Sequence, residues 1–212
     1  MIHVPGTTTD AASPLMIIKR LAPLLAAVGL AALAACNDDP LFKAQRANTP
    51  VQPFEVYALS GSLPELPTAY HATAYLSLAP SVMRVDSLNF DVAFDITPSG
   101  QISLYPVRTL GQPLLAKSVG IRVDSTATFE GLTRAPVRGY VRDSVVTFTI
   151  GKVVVLETPF VGGCGLYALS QNVYTKLVVD SADVVTRRIK FRAVNDPNCG
   201  FRSLQPEVTP KD

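Results

Sequence analysis

The stretch LNFDVAFDI, residues 88–96, decides the fold. Leu88, Phe90, Val92, Phe94 and Ile96 recur every second residue, and Asn89, Asp91, Ala93 and Asp95 fill the alternate places. Side chains on an extended chain alternate between two faces, so this period predicts a half-buried β-strand with Asp91 and Asp95 toward water. Thr97-Pro98-Ser99-Gly100 then reads as a turn and QISLYPVRTL (101–110) as the returning strand of a hairpin. Pro106 lacks an N–H, which places it at a strand edge or end.

The same logic extends along the chain. Val146, Phe148 and Ile150 alternate with Thr147 and Thr149, and a turn at Gly151-Lys152 leads into VVVLE, a second predicted hairpin. FEVYAL (54–59), YHATAYLSL (70–78), GIRVDS (120–125), TATFEG (126–131), LYALSQNVY (166–174) and TKLVVD (175–180) are further expected strands. Ile189, Phe191 and Ala193 alternate with Arg188, Lys190 and Arg192 near the end. Short strands separated by turn residues predict an all-β, antiparallel β-sandwich over 54–205, with a β-barrel as the alternative.

Upstream lies LAPLLAAVGLAALAACNDDP (21–40), whose apolar or small residues run from Leu21 to Ala35. That run is shorter than the ~20 residues a membrane span needs. Lys19 and Arg20 precede it and small residues end it, the organisation of a secretory signal peptide. Leu33-Ala34-Ala35-Cys36 resembles the lipobox of bacterial lipoproteins. The resemblance implies cleavage before Cys36, diacylglycerol on its thiol, fatty acylation such as palmitate, and a membrane-tethered mature protein. The expected divisions are a leader over 1–35 (its true start at Met16), lipidated Cys36 with a flexible spacer to residue 53, the β-domain over 54–205, and a disordered tail over 206–212. Asn37 after Cys36 points, by the same resemblance, to the outer membrane, facing the periplasm or the surface.

Cleavage would leave 177 residues, enough for one cored domain, with 17 basic and 16 acidic side chains. So even a balance provides no basic field for nucleic acid. Cys164 and Cys199 would be the remaining cysteines. In an extracytoplasmic compartment they are expected to form a disulfide, and the glycines of Gly162-Gly163-Cys164-Gly165 suit its backbone demands.

Chemistry-bearing patterns are sparse. His71 would be the one histidine left after cleavage, too few for an imidazole metal site, and its strand position places it toward solvent. Asp91 and Asp95 would sit roughly 13 Å apart on one strand face, too far for a glycosidase pair. Asp180, Asp183, Asn195, Asp196 and Asn198 are oxygen donors without the dense ladder of a calcium loop, and NDPNCG (195–200) reads as a turn. Arg188, Lys190 and Arg192 form a basic stripe, read as protection of an edge strand. Tyr57, Tyr70, Tyr75, Tyr105, Tyr140, Tyr167 and Tyr174 are stacking candidates for a glycan, or core residues. The nucleophile-elbow, zinc-protease, phosphate-loop and dinucleotide motifs do not occur. The sequence therefore predicts a non-catalytic envelope lipoprotein, without catalytic residue, metal or cofactor, that binds or scaffolds an envelope protein or glycan. A small hydrophobic-ligand carrier built on a barrel cavity is the alternative.

Overall fold

The computed structural model describes residues 43–72, 80–87, 89–111, 118–160, 164 and 170–211. The leader, Cys36, Leu88, Tyr75 and Tyr167 lie outside them, as do 73–78 of the expected strand at 70–78 and 166–169 of the one at 166–174. Among the described residues ten strands follow one another: β1 (Gln52–Tyr57), β2 (Ala69–His71), β3 (Ser81–Met83), β4 (Val92–Ile96), β5 (Ile102–Pro106), β6 (Gly120–Asp124), β7 (Val146–Phe148), β8 (Val153–Pro159), β9 (Asn172–Asp183) and β10 (Arg188–Asp196). They form two five-stranded sheets, ordered β1-β10-β9-β8-β6 and β3-β2-β4-β5-β7. Every pairing is antiparallel. The fold is all-β and consistent with a β-sandwich; neither sheet closes on itself, so the barrel alternative is set aside.

The space between the sheets is filled. Phe191 of β10 is the centre: it stacks on Phe94 of β4 at 4.9 Å and on Phe54 of β1 at 5.3 Å, and meets Tyr70 of β2 edge-on at 5.3 Å. Leu156, Leu177, Val179, Ile189, Ile102, Leu104 and Phe148 extend this core. Each such side chain contributes about 1.5–3 kcal/mol on burial.

The outer face of the first sheet is buried as well. Val153 and Val155 of β8, Val178 of β9 and Val194 of β10 pack under Phe129, Leu132, Ala135 and Leu204 of an irregular cover. The cover is tied down by Leu204 N–H to Thr133 O and Ala135 N–H to Arg202 O, both 2.8 Å. Strands buried on both faces need apolar residues on both, which is why VVVLE and KLVV read as continuous runs.

Three expectations are corrected. TATFEG is a turn, not a strand, because Asp124 accepts the backbone N–H groups of Thr126 and Ala127 and ends β6 there. Those two bonds hold its carboxyl below the usual carboxylate range, Ala127 contributing most. The second hairpin does not form: β7 pairs with β5 of one sheet, and β8 with β6 and β9 of the other. Gly151, at φ 83°, turns the chain between sheets and its N–H binds Val179 O. NVY and TKLVVD are one 12-residue strand, β9, since neither Gly nor Pro divides them.

The chain ends also differ from the spacer and tail expected of them. Asn48 N–H binds Val208 O at 3.0 Å, Thr49 N–H binds Asn195 O at 2.9 Å, Gln52 and Pro53 belong to β1, and Pro210 is buried. Pro106 ends its strand, as its missing N–H dictates.

Candidate functional site

Two clusters of buried polar side chains stand out, one crossing the core and one where the N-terminal chain joins the sandwich. The first starts at Tyr70, whose hydroxyl donates across the sandwich to Asn195 Oδ1 at 2.9 Å. Asn195 Nδ2 donates to Ala72 O, Ala72 N–H donates to Asp91 Oδ2 at 2.6 Å, and Asp91 N–H donates to Tyr70 O at 2.9 Å. Burial pushes the Tyr70 hydroxyl well above the usual tyrosine range, and the nearby Asp91 carboxylate pushes the same way.

This cluster corrects two placements. Asp91 is fully buried and His71 only 2 % exposed, where alternation had set both toward water. The reason is that Ala69 to Ala72 and Phe90 to Phe94 are covered on both faces, so period two no longer reports exposure there. Asp95 does not converge with Asp91. It pairs with Arg187 at 2.8 Å and accepts the Ser60 hydroxyl at 2.8 Å, linking β4 to the β9–β10 turn.

In the second cluster Asn198 acts as a clamp. Its Oδ1 accepts Gln45 N–H at 3.0 Å and Arg46 N–H at 3.1 Å; its Nδ2 donates to Arg46 O and to Asp196 Oδ1. Asn48 Nδ2 donates to Ser203 O and Gln205 O, and Asn195 N–H to Thr49 Oγ1. The expected Cys164–Cys199 disulfide sits beside Asn198, with Cα atoms 5.7 Å apart. Asp196 is fully buried, and its Oδ2 has no hydrogen-bond partner among the described residues. Burial pushes its carboxyl up to about 6, against the lowering effect of its bonds from Asn198.

The oxygen donors weighed for calcium are thus divided. Asn195, Asp196 and Asn198 hold the N-terminal chain; Asp180 receives Arg192 at 3.0 Å; Asp183 receives Val185 and Thr186 N–H in the turn. Among the described residues no three His, Cys, Asp or Glu side chains converge on one point.

The outer face of the first sheet carries a buried ionic set that sequence reading missed. Tyr174 Oη donates to Glu157 Oε1 at 2.8 Å, and Arg142 pairs with the other carboxylate oxygen. Burial, then the bond to Glu157, pushes the Tyr174 hydroxyl up to about 12. Lys176 donates to Phe129 O at 2.7 Å and Leu132 O at 3.1 Å, and burial lowers its ammonium below the usual lysine range. The available signal was a lone lysine inside the apolar run VYTKLVV.

The basic stripe is corrected too. β10 has β1 and β9 on its two sides, so Arg188, Lys190 and Arg192 do not guard an edge. Lys190 lies 3.8 Å from Glu55; Arg192 engages Asp180, lies 3.6 Å from Glu130 and covers the Phe129 ring. Among the described tyrosines, Tyr70 and Tyr174 are buried, and Tyr57, Tyr105 and Tyr140 are half-buried. They form no continuous exposed aromatic face.

Fold and clusters together define a class: a two-sheet antiparallel sandwich with a cross-core polar bridge and a clamped N-terminal chain. No protein-family model matches the chain, and no curated protein or solved structure matches it.

Proposed function

We propose that this protein is a non-catalytic, lipid-anchored scaffold of the bacterial cell envelope, with an envelope protein as its partner. The supporting observation is the geometry of the N-terminal chain seen beside the lipobox-like Leu33-Ala34-Ala35-Cys36. The clamp on Gln45 leaves nine residue steps to Cys36, a reach of at most about 30 Å. A body held this way rides close to the lipid surface. β1 runs antiparallel to β10, so the chain joins the sandwich at the Asn195–Asn198 end. The turn between β9 and β10 lies at the opposite end of the sandwich.

Two further points bear on the partner. The core is filled by aromatic and aliphatic side chains and no barrel closes, which leaves the hydrophobic-carrier alternative unsupported. A glycan face would need exposed stacking aromatics, and the described tyrosines serve the fold instead. The buried Glu157, Lys176 and Asp91 are each bonded to the fold's own groups.

The test is Cys36→Ser with labelled fatty acid in growing cells. The native chain is expected to take up label and sediment with membranes, and the variant to lose both. Equal labelling of the two forms, or none in either, would overturn the proposal.

A further inference from the structure

The outer face of the first sheet gathers more positive charge than its carboxylates neutralise. Gly120, Glu157, Tyr174 and Asp196 stand abreast on β6, β8, β9 and β10, and Arg122, Val155, Lys176 and Val194 form the next row. The cover segment RAPVRGYVRD (134–143) meets this face at two glycines. A Cβ at Gly120 would lie 2.8 Å from Tyr140 Cβ and 3.0 Å from Arg142 Nη1, and one at Gly139 would lie 3.3 Å from Arg122 Nη1. The missing side chains leave room for the two guanidiniums.

Three guanidiniums are fixed here around Tyr140 and Tyr174. Arg142 donates to Ser118 O at 2.9 Å and pairs with Glu157. Arg122 donates to Arg138 O. Arg202 donates to Ala135 O at 2.7 and 2.9 Å and lies over the Tyr174 ring at 5.1 Å. Burial pushes the Tyr140 hydroxyl well above the usual tyrosine range; Glu157 adds to this, while Arg202 and Arg122 pull it back.

Carbonyl oxygens orient a guanidinium without neutralising it. Among the described residues Glu157 is the one carboxylate bonded to any of the three. Asp124 acts on Arg122, but its carboxylate is bonded to the N–H groups of Thr126 and Ala127. Asp143 is taken by Arg108 at 3.3 Å. Arg138, exposed, adds a charge whose own carbonyl holds Arg122. Arg122, Arg138, Arg142 and Arg202 against Glu157 and Asp124 leave a surplus of two positive charges. Arginine keeps its proton, so the surplus is permanent. The segments outside the described residues between 43 and 211 contain neither Asp nor Glu to offset it.

We propose that Arg122, Arg142 and Arg202 form a binding site for a phosphate monoester. Such a group carries about −1.5 to −2 charges at pH 7, which matches the surplus. A ligand carboxylate, with one charge, would leave half of it. Guanidinium forks also fit pairs of phosphate oxygens. All three arginines are half-buried, so solvent reaches them, and the carbonyls hold them in place before a ligand arrives. The site is independent of the lipid anchor.

The test titrates the full chain, in a neutral detergent at low salt, with phenyl phosphate followed by phosphorus NMR. Saturable binding is expected, weakened about ten-fold in Arg122→Gln and in Arg202→Gln. Arg188→Gln, at an exposed arginine of β10, should leave it unchanged. Dimethyl phosphate, a diester with one charge, should bind the native chain about ten-fold more weakly than phenyl phosphate, a comparison that needs no variant. Inorganic phosphate and phosphatidic acid in the same micelles separate the sources. Tighter binding of the first marks a soluble phosphate as the ligand, and of the second a lipid headgroup. Failure of the native chain to saturate at tens of millimolar phenyl phosphate overturns the proposal. Equal affinity for the diester, or an equal loss in Arg188→Gln, overturns it as well.

Discussion

Tyr70 and Asp196 show what a single buried polar atom does in this sandwich. Tyr70→Phe removes one hydroxyl and leaves Asn195 Oδ1 without its donor in the core. The expected loss is about 1–3 kcal/mol, read as a lower denaturant midpoint. Asp196 works in the opposite sense. Its folded carboxyl titrates at about 6 against 3.8 for the ordinary group, so the folded state holds the proton more tightly. The stability this provides is full below pH ~4, declines as pH rises toward 6, and is gone above it. Between pH 4 and pH 7 the native chain should lose up to about 3 kcal/mol relative to Asp196→Asn. Parallel unfolding curves for the two forms across that range would contradict this assignment. At this scale the sequence was readable only in part. Cys164 and Cys199 were paired correctly from compartment and count, whereas Asp91 and His71 were misplaced because a one-dimensional alternation does not reveal a second covering layer.

Among the elements, the most legible were β4 and β5, where a clean period of two flanks a Pro-Ser-Gly turn. β8 and β9 were legible as strands, but their apolar runs did not say which layer buries the second face. The cover that does so, from Phe129 to Leu204, has no period of its own; it is held by turns and by Lys176 reaching its carbonyls. Lys176→Met should therefore cost about 1–3 kcal/mol by leaving Phe129 O and Leu132 O unpaired. Loosening should concentrate in the cover, with faster hydrogen exchange at Leu132 and Ala135 than in β4. Gly151 illustrates the other obstacle. A Gly-Lys step between two strands signals a turn, but not whether the strands pair or separate into different sheets. Its positive φ makes Gly151→Ala unfavourable by roughly 1 kcal/mol, measurable by thermal unfolding.

For the whole molecule, the disulfide closes the loop between Cys164 and Cys199, which are separated by 35 positions. The chain-entropy relation puts its contribution at about 4 kcal/mol. Replacing both cysteines by serine should lower the denaturant midpoint accordingly and free Asn198 to release Gln45 and Arg46. The central claim is that Cys36 becomes a lipidated first residue and the sandwich hangs from it. Intact mass spectrometry of the protein purified from membranes tests this most directly. The account predicts a chain beginning at Cys36 and carrying the mass of a diacylglycerol with its acyl chains. A chain that retains residues 21–35 with an unmodified Cys36 thiol would contradict it.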